Sequence, residues 1–412
     1  MPGQRWDPVI APGVLVAGGD HVAIPLAMLI VFGSAKLLAE LFERLNQPGI
    51  VGEIVAGIVV GPSVLAWVSP NDFLNALAQL GVMFLLFRVG LEVKASELIG
   101  VGATATMVAL LGVVVPFFFG WGTLLLWGRP QIEAIFTGAA MVATSVGITA
   151  QVLESKGLMK ARASRTILAA AVIDDVLGLL VLAMVSNLAE GEIKLLGLGL
   201  TAALAIGFTL LVITWGTRTV QRVVPRVQKK LRLGEAQFAL SMILLFGLSV
   251  AAVYAGVAAI IGAFLAGMAL SESAGQRVRD LAHGVTELLV PFFLAGIGLQ
   301  LDLSALANRA TLALSLVILG AAIVSKLVGC GLGALPLGRA DALRVGIGMM
   351  PRGEVGLVVA QLGLSLGVIT QAVYGVVVFM AVATTLIAPP LLALTYRKLI
   401  DTDAKAEVFR IG

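Results

Sequence analysis

The chain reads as a succession of long apolar runs separated by short polar connections. A helix that crosses a bilayer needs about 20 mostly apolar residues. That template fits thirteen segments, at about 23–43, 49–68, 77–93, 99–127, 131–153, 163–187, 194–217, 236–254, 257–272, 285–300, 310–336, 340–366 and 369–396. The connections are too short for an extramembrane domain; the longest, from Thr217 to Glu235, is strongly basic. The first 22 residues are polar and rich in Pro and Gly, without the basic start and apolar run of a secretory signal. They are expected to form an N-terminal segment outside the membrane, and 397–412 a tail at the other end.

Composition agrees with a membrane-embedded chain. Of 412 residues, 59% are hydrophobic and 13% charged, and the mean hydropathy is +1.03. An average soluble domain carries roughly 25% charged residues. So much apolar surface excludes a soluble enzyme, a nucleic-acid binder and a disordered chain. A single cysteine, Cys330, leaves no intrachain disulfide, and with only His21 and His283 beside it no zinc site is expected.

Loop charges give the orientation. Arg44, Lys94, Lys156, Lys160, Arg162, Arg165, the basic stretch 218–232, Arg277, Arg279, Arg339, Arg344, Arg397, Lys398, Lys405 and Arg410 fall on one side of the thirteen-span layout. Only Arg5, Arg129, Lys194 and Arg309 fall on the other. The N-terminus is therefore expected outside and the C-terminus in the cytoplasm. Trp67, Trp121, Trp127 and Trp215 lie near span ends, where interfacial anchors belong.

The chain also matches itself. Ala56-Gly57 has a counterpart in Ala266-Gly267, Gly90-Leu91 in Gly298-Leu299, and Val146-Gly147 in Val355-Gly356, at nearly one offset. The matching spans are seven apart, so two five-helix units run in opposite directions. Inverted repeats of this kind are common in alternating-access transporters.

Four basic residues remain inside spans: Lys36, Arg88, Lys326 and Arg352. They are accompanied by Asp174, Asp175 and Glu354 near span centres and by Glu53 nearer an end. A charge at the bilayer centre costs roughly 2.5–3.5 kcal/mol on insertion scales, so such residues call for a function. A salt-bridge cluster that only fixes packing is the simpler reading. Two adjacent carboxylates facing one lysine argue against it as the whole account, because the second must find a proton or a cation. Arg88 lies four residues before Glu92, and a pair along one helix face is expected for it. Span 131–153 has Thr144-Ser145-Val146-Gly147 at its centre, and its repeat partner has Pro351-Arg352-Gly353-Glu354. Pro removes a backbone donor and Gly relaxes the helix, so both spans are expected to break there. Broken membrane helices expose backbone groups and dipole ends that can hold ions, and Thr144 and Ser145 add hydroxyl oxygens.

These pieces, together with Pro48-Gly49-Ile50-Val51-Gly52-Glu53, Gly61-Pro62-Ser63, Gly90-Leu91-Glu92 and Ile173-Asp174-Asp175-Val176, resemble the second large family of monovalent cation:proton antiporters. That group contains NapA-type sodium/proton antiporters and Kef-type potassium systems. The resemblance implies an all-α membrane protein that forms a homodimer in the inner (plasma) membrane, needs no cofactor and binds no nucleic acid. It implies a dimer part over 23–93 and 236–300, a linking helix at 194–217, and a moving core over 99–187 and 310–396 with two crossing broken helices. It further implies Asp175 as the main H⁺ and cation carrier, Asp174 paired with Lys326, and Arg352 and Glu354 compensating dipole ends at the second break. The transported ion would be Na⁺ or Li⁺, with K⁺ as the alternative, and the Asp-Asp pair looks like that of the electrogenic class. Kef-type efflux systems normally carry a cytosolic nucleotide-sensing domain, for which the sequence offers no candidate. An intramembrane aspartyl protease is disfavoured, since adjacent carboxylates on one helix diverge rather than face each other across a peptide bond.

Overall fold

The structure is a computed structural model that describes residues 19–411 apart from 46, 95, 97–99, 190–194, 217, 221, 224–234, 304–307 and 353. The segment 1–18, most of the basic stretch 218–232, Lys194 and Gly353 thus lie outside the described residues, as does the side chain of Glu354. The described part is helical throughout. Its α-helices are α1 (Gly19–Arg44), α2 (Gly49–Val60), α3 (Asp72–Glu92), α4 (Gly102–Leu126), α5 (Gln131–Ala140), α6 (Val146–Ser155), α7 (Arg162–Ala189) and α8 (Leu195–Leu211). There follow α9 (Ala236–Tyr254), α10 (Ala259–Leu270), α11 (Gln276–Leu299), α12 (Arg309–Gly333), α13 (Arg339–Gly348), α14 (Glu354–Ser365) and α15 (Gln371–Ile411). Helix α8 continues as a π-helical turn over Val212–Gly216.

Each apolar segment read from the sequence coincides with one of these helices or, at 131–153 and 340–366, with a pair. Eight helical stretches among the described residues are long and apolar enough to cross a membrane alone, among them Asp72–Glu92, Gly102–Leu126 and Arg309–Gly333. The outer surface suits such a setting: Leu29, Leu37, Met107, Phe118, Met184, Ile243, Val250 and Leu316 are exposed. Apolar patches of that extent mark contact with lipid or protein rather than water.

Helix packing divides into two groups. In one, α3 packs on α10 and α11, α2 on α1 and α11, and α9 on α10. In the other, α4 packs on α5, α7 and α12, and α12 on α13 and α15. Helix α8 rests on α7 while its π turn touches α10, so it bridges the groups. They also meet where α6 lies against α3 and α2.

The first group is held by two close crossings. A Cβ on Gly57 would collide with the backbone carbonyl of Ala295, and one on Gly298 with that of Ile54. One on Gly90 would collide with the carbonyl of Phe264, and one on Gly267 with that of Phe87. Small residues let membrane helices approach to backbone contact. The pairs that match in sequence, Gly57 with Gly267 and Gly90 with Gly298, thus sit in opposite crossings: α2 meets α11 while its counterpart α10 meets α3. Two copies related by a two-fold exchange produce this arrangement.

Candidate ion site at the broken helices

Helix α5 ends at Ala140 and α6 begins at Val146; α13 ends at Gly348 and α14 begins at Glu354. The second interruption follows from Pro351, which lacks an N–H and drives Met350 out of the helical region. The first contains no proline and is held open by partners from elsewhere in the fold. Ser145 donates its N–H to the carbonyl of Pro351 at 2.8 Å, so the two breaks touch. The Thr144 hydroxyl donates to the Met349 carbonyl at 3.5 Å and the Thr149 hydroxyl to that of Gly348 at 2.6 Å.

Arg352 is buried at this crossing. Its guanidinium donates to the carbonyls of Val142 and Ala143 at 3.3 and 3.4 Å and to that of Ala322 on α12 at 3.2 Å. Its own N–H donates to the Thr384 hydroxyl on α15. The family resemblance implied compensation at the second break. The guanidinium instead satisfies carbonyls of the unwound stretch just after α5, where a cation also opposes the negative end of the helix dipole.

Lys326 reaches the same place from α12. Its ammonium donates to Thr144 Oγ1 at 2.7 Å and to Asp174 Oδ1 at 3.3 Å. The side chains of Lys326 and Asp174 are 0% and 1% exposed, so this ion pair is shielded from solvent. Asp174 Oδ2 is buried without a hydrogen bond in the structure. Asp175, the next residue on α7, is also buried and projects about 100° away. The structure therefore brings Lys326, Asp174 and Thr144 into direct contact. It sets Ser145 at the start of α6 and Arg352 behind the crossing.

Gly112 on α4 was not singled out in the sequence. A Cβ there would meet Cys330 Sγ at 2.7 Å and approach Lys326 Nζ at 3.5 Å and Asp174 Oδ1 at 3.8 Å, so this glycine makes room for the pair. Thr149 and Thr384 were likewise missed: a threonine in an apolar helix carries no signal of its hydrogen-bond partner. Arg88 departs from the expected pair with Glu92. It pairs with Glu154 on α6, and its second terminal nitrogen lies 2.7 Å from His283 Nδ1.

Among the described residues, no group of three or more His, Cys, Asp or Glu side chains could hold a metal ion. The oxygens that the structure brings together at Lys326, from Asp174 and Thr144, are hard donors.

The family model described as sodium/hydrogen exchanger, transmembrane, matches residues 28–398. The chain belongs to this family. It is 33% identical over 378 residues to the Na⁺/H⁺-K⁺ antiporter GerN of Bacillus cereus, covering 89% of this chain and 95% of that one. It is 34% identical over 425 residues to the high-affinity Na⁺/H⁺ antiporter NhaS3 of Synechocystis, covering 92% and 90%. Among solved structures, the sodium proton antiporter MjNhaP1 of Methanocaldococcus jannaschii superposes with a TM-score of 0.61 at 16% identity, over 92% of this chain and 98% of that one. The exchanger family is one of membrane transporters, and the fold agrees with it.

Proposed function

We propose that this exchanger-family protein is a secondary active antiporter that exchanges Na⁺ or Li⁺ for H⁺. The observation that carries the reading is the buried Lys326–Asp174 pair, with Asp175 next to it, at the crossing of two broken helices. Asp175 is the carrier: its carboxylate holds either a proton or a cation, and competition between them couples the two fluxes. Asp174 and the hydroxyls of Thr144 and Ser145 complete the cation's oxygen shell. Lys326 occupies Asp174 and Thr144 while the cation is away. Arg352 and Glu354 balance the dipole ends of the broken helices.

In this reading α4–α7 and α12–α15 form the core that moves, and α1–α3 with α9–α11 form the dimer part against which it moves. Helix α8 links them, and all thirteen predicted segments cross the membrane. The protein acts as a homodimer in the cell membrane, N-terminus outside and C-terminus in the cytoplasm. The excess of Arg and Lys in the loops of one side supports that orientation. A K⁺/H⁺ exchanger is the second reading, supported by the similarity to GerN, a Na⁺/H⁺-K⁺ antiporter.

The test is dissipation of an imposed ΔpH by purified protein in liposomes, with Na⁺, Li⁺ and K⁺ added in turn. Dissipation by Na⁺ or Li⁺ above K⁺ is expected. Equal, slow dissipation with every cation and with none would remove the antiport reading.

A further inference from the structure

A second set of charges lies away from the ion site, where the two helix groups meet. Arg88 on α3 forms an ion pair with Glu154 on α6. Both side chains are largely buried, at 15% and 8% exposure. Arg88 also donates to His283 Nδ1 on α11 at 2.7 Å and lies 3.9 Å from Glu287 on the same helix. Glu287 in turn lies 3.6 Å from Lys36 on α1, which pairs with Glu53 on α2 at 3.1 Å. The chain Glu53–Lys36–Glu287–Arg88 thus stays within one helix group, and its last link, Glu154, belongs to the other.

Glu154 is mechanically tied to the ion site. It lies in the last turn of α6, whose first turn follows Ser145 at the break. Nine residues of helix put the two about 14 Å apart on one short rigid rod. The same helix lies close against the first group at its other end: a Cβ on Gly147 would come within 3.0 Å of Val82 on α3 and 3.3 Å of Phe293 on α11.

We propose that Arg88 and Glu154 form an ionic latch between the two helix groups, which must open and reclose in every transport cycle. The inference rests on the antiport reading, in which α6 moves with the core. Parting a buried ion pair is costly when it strands a charge. Here Arg88 keeps partners on its own side, His283 and the half-exposed Glu287, so the guanidinium is not left bare when the latch opens and the cost falls on Glu154. Its strength then sets how firmly this arrangement of the two groups is held against the alternative one. Arg88 acts as a positioning residue that never touches the transported ion.

Replacing both residues with cysteine (Arg88→Cys with Glu154→Cys) tests the latch. In liposomes, the oxidised and crosslinked double variant should lose exchange and reduction should restore it, while each single variant should ignore the oxidant. A double variant shown by mass spectrometry to be crosslinked, yet exchanging at its reduced rate, overturns the proposal. A charge swap supplies the second arm. Arg88→Glu or Glu154→Arg alone should shift the exchange rate, and the two together should return it toward the wild-type value. A swap no closer to wild type than either single variant also overturns the latch. Failure of the antiport reading would look different, because the unmodified protein would exchange no cation at all.

Discussion

Lys326 holds Thr144 more closely than it holds Asp174, at 2.7 Å against 3.3 Å. The hydroxyl expected to serve a cation is here the acceptor for an ammonium. In the proposed function, lysine and cation compete for the same oxygens, and arrival of the ion requires Lys326 to give up at least one of its two partners.

Replacing Asp175 with Asn should abolish exchange while leaving the fold intact. The amide keeps the size of the side chain but removes the proton site and weakens the cation's oxygen shell. Sodium-driven proton movement by the purified variant, at the wild-type rate, would sink this assignment.

Lys326→Ala should destabilise the protein strongly, by about 3–5 kcal/mol, because it leaves the buried Asp174 carboxylate without its counter-charge. Combining Lys326→Met with Asp174→Asn should cost less than Lys326→Ala alone, since no net charge then remains buried. Thermal unfolding in detergent distinguishes the two, and equal melting temperatures for Lys326→Ala and the wild type would contradict the pairing.

Thr144→Val should cost about 1–3 kcal/mol through loss of a buried hydrogen-bond acceptor, whereas Thr144→Ser should stay close to wild type. If valine and serine variants melt together, the lysine does not depend on this hydroxyl.

Gly90→Ala should impair assembly more than an alanine substitution at Gly122, where nothing lies within 4 Å of the added carbon. At Gly90 the methyl meets the backbone of α10, and overpacking of this kind costs typically about 1–3 kcal/mol. Yield of folded protein by size-exclusion chromatography reads the difference, and indistinguishable yields would refute the tight crossing.

Exchange should move charge. If Asp175 and the Asp174–Lys326 pair both change protonation in a cycle, two protons replace one monovalent cation and one net charge crosses. Each such charge is worth about 2.3 kcal/mol per 100 mV. Solid-supported-membrane recordings should show a transient current on a sodium jump. Silence there, with rates indifferent to an imposed valinomycin potential, would point to one-for-one exchange with Lys326 always protonated.

The positions of the helices were legible because lipid imposes a length and an apolar composition on every crossing. The breaks were legible in unequal measure. Pro351 announces the second one, but the first depends on Arg352, Pro351 and Met349 reaching across from the other half of the chain. The buried pair was visible as charge in an apolar setting, and its depth could be estimated from the span centres. What stayed hidden was partner choice: Glu92 and Glu154 are equally good acids on paper for Arg88, and only packing puts the second beside it. Gly112 was hidden for the same reason, since a glycine says nothing about which charge it makes room for.

The exchange of helix partners between the halves also governs how the chain can be built. Helices α2 and α3 leave the ribosome long before α10 and α11 exist, and each later meets one of those latecomers at backbone contact. Until then the positions of Gly57 and Gly90 lack these partners, although α2 already has α1 beside it, with Gly52 against Leu38. The two crossings can therefore close only after α10 and α11 have been made. Synthesis halted before α10 would leave a fragment with neither crossing formed.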